Sequence, residues 1–213
     1  MKTCVLAEKP SQAKEFYLPL IERLSGEKLQ RKGSYYESAS WYLTWFFGHL
    51  FQAMEPVEYD SRYKFWRLED LPILPQPIQY RYKDPSAQKQ GGVILELCNK
   101  SDLIVCATDP DREGEGIFRG FFDYHKIDKP VKRLWAVSLT DKDLAKAWQA
   151  MKPSTAYDNL ARARVLRAGA GQRRARINHR SGHAAPDAVF KLRQRNRKLA
   201  HLPDLFRQGH PLQ

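Results

Sequence analysis

Between Asp102 and Gly120 the chain reads DLIVCATDPDREGEGIFRG, and this stretch leaves few folds open. Leu103 to Ala107 is an apolar run rich in β-forming residues, which marks a buried strand. Asp109, Asp111, Glu113 and Glu115 follow within seven residues, and Ile117, Phe118, Phe121 and Phe122 then recur at helical spacing. The acids therefore sit on a strand-to-helix turn at the carboxyl end of a strand, where open α/β sheets place their ligands. Acids in a helix's first turn meet its positive end, which accounts for Glu113 and Glu115 on structural grounds alone. It does not account for Asp109 and Asp111 on the strand side. Four carboxylates this close repel unless something neutralises them, and a hard divalent cation such as Mg²⁺ suits oxygen ligands.

A second stretch repeats the arrangement. Residues 2 to 7, KTCVLA, form another short apolar strand, and Glu8, Lys9, Pro10 and Ser11 follow it. If the two strands are parallel neighbours, Glu8 faces Asp109 and Asp111 across one crevice. Ser11 is then expected to cap a helix with Ala13, Phe16, Leu20, Ile21 and Leu24 inward, kinked or divided at Pro19 and ended at Gly26.

Residues 34 to 54 are aromatic and β-prone and predict one or two more strands, with Tyr42, Trp45, Phe46 and Phe47 in the core. Five prolines at 56, 72, 75, 77 and 85 make the next segment an extended excursion over 55–90 with short β pieces. Its tyrosines and Trp66 alternate with Arg62, Lys64, Arg67, Arg81 and Lys83, a composition that serves either as a packed surface loop or as a grip on single-stranded nucleic acid. Ser86 to Lys100 predicts a helix, weakened by Gly91-Gly92, and Lys132 to Val137 a strand closing a βαβ unit. Thr140 with Asp143 opens a further helix ended by Pro153, and another begins at Thr155.

Charge divides the chain. Of 36 Lys and Arg and 24 Asp and Glu, residues 161–213 hold 13 basic and two acidic, a net of +11; the 23 basic and 22 acidic residues before them give +1. Cys4, Cys98 and Cys106 have no metal-ligand spacing and lie in apolar stretches, as reduced thiols of a cytoplasmic protein do. No apolar run spans a membrane, no leader-like segment opens the chain, and no phosphate-cradling glycine loop marks a small-molecule nucleotide site.

AEKPSQAKE at residues 7–15 and ATDPDREGEGI at 107–117 resemble the Toprim domain of type IA DNA topoisomerases, most closely the topoisomerase III branch. Gly48-His49-Leu50 looks like that family's GHL segment, and the run from Lys64 through Pro75 like its K-W…L-P-I-x-P segment. The resemblance covers about residues 1–164 and then stops in mid-helix. It implies an α/β fold with a parallel-centred sheet of about four strands and flanking helices. It also implies Mg²⁺ held by Asp109, Asp111 and Glu113, with Glu8 as the acid that handles the proton of a 3′ hydroxyl. Lys9, Arg112 and His49 become candidates for phosphate or DNA contact, and Glu115 a helix-start acid supporting the ligands from behind.

The implied function is the N-terminal metal-binding part of an enzyme that breaks one DNA strand, passes another and reseals. DNA, expected to be single-stranded, is the implied partner, and the bacterial nucleoid the implied place. None of the ten tyrosines matches the family's nucleophile segment, so the chain is expected to be truncated and inactive alone. Residues 165–213 do not match the family and read as a disordered basic tail. A frameshift explains the abrupt break better than a natural divergent end does. A stand-alone Toprim nuclease or primase-like phosphotransfer enzyme, and a non-catalytic DNA-binding fragment, are the competing classes.

Overall fold

The computed structural model describes residues 1–160 apart from 66, 68, 69, 71, 72 and 74–76. The expected basic tail at 165–213 lies outside the described residues, as do Trp66 and most of the proline-rich Leu71–Pro75 run.

Two strands form the centre. β1 (Thr3–Ala7) and β7 (Leu103–Ala107) pair in parallel, with Ala7 opposite Ala107. Strands covered on both faces need continuous apolar runs, and TCVLA and LIVCA supply them. Between β1 and β7 the chain makes β2 (Gln30–Arg31), β3 (Tyr35–Glu37), β4 (Trp41–Trp45), β5 (Phe51–Ala53) and β6 (Tyr80–Tyr82); β8 (Val131–Arg133) and β9 (Lys152–Pro153) come last. The main sheet runs β2-β3-β4-β1-β7-β8-β9. Its four central strands, β4-β1-β7-β8, are parallel, and β2, β3 and β9 add antiparallel edges. The expected four-stranded parallel centre is thus present inside a mixed sheet of seven. β5 and β6 form a separate two-stranded ribbon.

Alternation along β1 and β7 divides the core into two layers. Cys4, Leu6, Ile104 and Cys106 face α4 (Pro85–Asn99) and α5 (Arg112–His125), packing on Ile94, Leu97, Ile117, Phe118 and Phe121. Val5, Ala7 and Val105 face the opposite layer, where Ala13, Tyr17, Leu20 and Ile21 meet Leu144 of α6 (Asp141–Gln149). All three cysteines are buried free thiols. Among the described residues no helix is long and apolar enough to cross a membrane.

Several local expectations need correction. Ser11 does not cap the first helix: Lys9 is the N-cap, without a side-chain bond, because Pro10 already supplies the φ of the first helical position. The helix is divided as Pro19 requires. α1 (Pro10–Gln12) runs into a π turn (Ala13–Tyr17) in which Leu18 N–H reaches back five residues to Ala13 O, and α2 (Leu18–Ser25) then closes on Gly26 at φ +73°. Residues 34–54 supply three strands in two sheets, and Phe47 is exposed rather than in the core. The excursion contains a short helix, α3 (Pro56–Tyr59), with Pro56 at its tolerated first position. β8 stops at Arg133, four residues short of the expected end, because the carbonyls just past β7 turn toward the Arg133 guanidinium instead of extending the ladder.

Candidate functional site

Because Ala7 and Ala107 are level in the parallel ladder, the residues after them leave the sheet side by side. Glu8 is 6% exposed, and its Oε2 accepts the Asp109 N–H at 3.0 Å. The loop after β4 joins at the same edge: Phe46 N–H donates to Ala7 O at 2.9 Å and Gly48 N–H to Glu8 O at 3.2 Å. Three strand ends thus converge at Glu8, the end of β7 on its carboxylate and the loop after β4 on its backbone carbonyl.

Lys9 lies between the acids, its Nζ 3.4 Å from Glu8 Oε1 and 3.6 Å from Asp109 Oδ2. Gln12 Nε2 donates to Asp109 Oδ1 at 2.5 Å. Burial pushes the Glu8 carboxyl above its ordinary range and the Asp109 charge adds to this, while the Asp109 N–H and Lys9 pull the other way. The Lys9 ammonium is held above its own range, chiefly by Glu8 and then by Asp109.

Asp111 is on the same loop but turned to the helix. It is the N-cap of α5, and its Oδ1 accepts the Gly114 N–H at 2.7 Å. Gly114 explains the first glycine of the E-G-E-G run: a Cβ there would lie 2.3 Å from Asp109 O. Only glycine lets the acid loop rest on the first turn of α5. Glu113 meets His49, Oε1 to Nε2 at 3.4 Å, with 71% of its side chain exposed. Arg112 is exposed beside it. Glu115 is fully buried and points into the protein, accepting from Arg119 Nε at 2.9 Å and Arg133 Nε at 3.0 Å.

The structure therefore brings Glu8, Lys9 and Asp109 into direct contact and keeps Asp111 on the adjoining turn. Glu113 and His49 form a neighbouring pair, and Glu115 lies beneath. Among the described residues no three His, Cys, Asp or Glu side chains are gathered closely enough to cage a metal ion. Mg²⁺ does not require such a cage, since it keeps several waters and binds through one or two carboxylates plus phosphate oxygens. Two observations fit the residues to it. A cation, the Lys9 ammonium, already bridges Glu8 and Asp109. Gln12 Oε1, on the amide that contacts Asp109, is buried without a hydrogen-bond partner among the described residues. Sequence reasoning missed Gln12 and Arg133. Gln12 follows the Glu8-Lys9 pair within one helical turn, and Arg133 is a cation at the end of a βαβ strand; both were signals in principle.

Comparison with known proteins adds the following. A family model described as the Toprim domain matches residues 3–139. DNA topoisomerase 3 of Bacillus cereus is 39% identical over 171 residues, covering 79% of this chain and 22% of that protein. DNA topoisomerase 3 of Bacillus subtilis is 37% identical over 171 residues, covering 79% and 23%. Among solved structures, full-length topoisomerase I from Thermotoga maritima aligns with a TM-score of 0.47 at 16% identity, over 78% of this chain and 23% of that one. The chain spans less than a quarter of the length of the curated relatives it matches. With the family model covering both acid-bearing strand ends and the β7–α5–β8 unit, the chain, which is similar to DNA topoisomerase 3 over most of its length, belongs to the Toprim family.

Proposed function

We propose that this chain is the Mg²⁺-binding N-terminal part of a type IA DNA topoisomerase, acting on single-stranded DNA. The observation that carries the reading is the pair of carboxylates, Glu8 and Asp109, delivered by adjacent parallel strands to a single cation. Asp109 and Asp111, with Glu113 from the next turn, would hold Mg²⁺, which neutralises and orients a scissile phosphate. Glu8, buried and above its ordinary range, holds or releases a proton beside the 3′ oxygen of that phosphate. Lys9 exchanges its carboxylate partners for phosphate oxygens when DNA and the metal arrive. Arg112 and His49 lie on the exposed side, available to flanking phosphates.

These 213 residues are not expected to cleave DNA unaided, since none of their ten tyrosines stands in the family's nucleophile context. Incubation with end-labelled single-stranded DNA and Mg²⁺ should leave no label on denatured protein, and release of free fragments would favour a stand-alone Toprim nuclease.

Asp111 tests the metal assignment, because capping and ligation can be separated there. Asn is as good a cap as Asp, so Asp111→Asn should keep the stability of α5 and weaken Mg²⁺ binding by calorimetry. Asp111→Ala should weaken binding and also cost about 1 kcal/mol of stability. An Asp111→Asn protein with unchanged Mg²⁺ affinity removes Asp111 from the site.

A further inference from the structure

Arg133 carries the largest fully buried side chain among the described residues. Its guanidinium donates from Nε to Glu115 at 3.0 Å. Nη1 donates to the carbonyls of Cys106 at 3.1 Å, Thr108 at 2.8 Å and Leu134 at 2.9 Å, and Nη2 to that of Asp109 at 2.7 Å. A buried cation needs a partner, and Glu115 alone would satisfy that need. The remaining contacts call for another explanation. Two of them, to Thr108 and Asp109, fall on the turn that carries the candidate metal ligand.

The Asp109 peptide is fixed from several directions at once. Its N–H is held by Glu8, and its carbonyl receives both Arg133 Nη2 and the Asp111 N–H, the latter at 2.8 Å. Glycine at 114 leaves the room in which that carbonyl sits. With its backbone held in this way, the Asp109 side chain is directed to Lys9 and Gln12. The fork is itself held in place. Glu115 is shared with Arg119, which extends the network to Ser154 O at 2.7 Å and Asp158 at 2.8 Å. A planar five-donor group serves several divergent acceptors; a lysine ammonium in its place has the charge without the reach.

We propose that Arg133 is a positioning residue for the cation site. It sets the orientation of the Asp109 backbone, and Glu115 orients Arg133. The inference rests on the cation reading above and assigns residues that do not touch the ion. Groups behind metal ligands that are altered in this way typically change affinity by about 10–100-fold.

The test uses the full chain with Mg²⁺ alone as probe. Arg133→Lys keeps the charge and loses the fork. It should weaken Mg²⁺ binding by at least about tenfold in calorimetry. In the metal-free protein it should speed amide exchange at Asp109 and Asp111 while β1 amides stay protected. Glu115→Gln, a gentler change, should move both readouts in the same direction by less. A merely structural role predicts lower stability with unchanged Mg²⁺ affinity and uniform exchange, which would overturn the proposal. Should the Arg133 variant not fold, the unaltered chain still decides: Mg²⁺ titration should shift the Arg133 Nε–H resonance, and no shift counts against the proposal. If the unaltered chain binds no Mg²⁺, the cation reading fails and takes this role with it. If it binds and Arg133→Lys binds equally, only the positioning role is lost.

Discussion

Replacing Gly114 by alanine sets two opposed effects against each other at the centre of the site. An added Cβ would lie 2.3 Å from Asp109 O, 2.9 Å from Asp109 N and 3.1 Å from Asp109 C. Non-bonded heavy atoms rest at roughly 3.5 Å, so the Asp109 peptide must retreat by about 1 Å. All three crowding atoms are backbone, and Arg133 and Glu8 hold that backbone in place. Overpacking of this kind costs about 1–3 kcal/mol. Against it stands the helix preference of alanine over glycine, at most about 1 kcal/mol and less in a first turn. The net expectation is a loss of about 1–2 kcal/mol, or a thermal midpoint lower by roughly 2–8 °C for a domain of this size. The internal control is Gly92→Ala. Gly92 is also helical, with nothing within 4 Å of its Cβ position, and the same change there should stabilise by up to about 1 kcal/mol. Urea titrations of both variants give the comparison. A Gly114→Ala protein as stable as Gly92→Ala would refute the claim that the acid loop rests on the first turn of α5.

Two further outcomes are expected. The raised Glu8 carboxyl means that the folded protein binds this proton more tightly than the unfolded chain does. Stability from this group is complete below the ordinary glutamate range and is lost as pH rises through its raised value. Without divalent cations, Glu8→Gln should therefore be more stable than the unaltered chain near neutrality, with the gap closing in acid; a gap that widens in acid contradicts the sign. Gly91→Ala should displace the Tyr82 ring, whose hydroxyl lies 2.3 Å from the Cβ position, and break its 2.7 Å bond to His125. Loss of near-ultraviolet ellipticity with a stability cost of about 1–3 kcal/mol is expected, and an unchanged spectrum counts against it.

The parallel centre was legible because two five-residue apolar runs, each followed by acids, admit few other arrangements. The edge strands were not. β2 and β9 are two residues each and owe their pairing to neighbours rather than to pattern. Glu8 facing Asp109 followed from strand register alone. The distribution of the remaining acids did not follow from spacing. Capping of the Gly114 N–H, a contact with His49 and the guanidinium groups of Arg119 and Arg133 each draw one away, and of these partners His49 and Arg133 lie far off in the sequence. Glu115 shows this most clearly. It is one of four acids within seven residues, yet it is neutralised by Arg119 and Arg133 rather than by an ion. The expected repulsion is relieved in part by the protein itself.

The central claim is that the ends of β1 and β7 form a divalent-cation site, and paramagnetic broadening by Mn²⁺ tests it most directly. In amide spectra of the full chain at substoichiometric Mn²⁺, broadening should centre on Glu8, Lys9, Asp109 and Asp111, and excess Mg²⁺ should restore the signals. Broadening centred elsewhere, for instance on the charged groove lined by Glu27, Lys32 and Glu37, with Glu8 and Asp109 unaffected, would contradict the account.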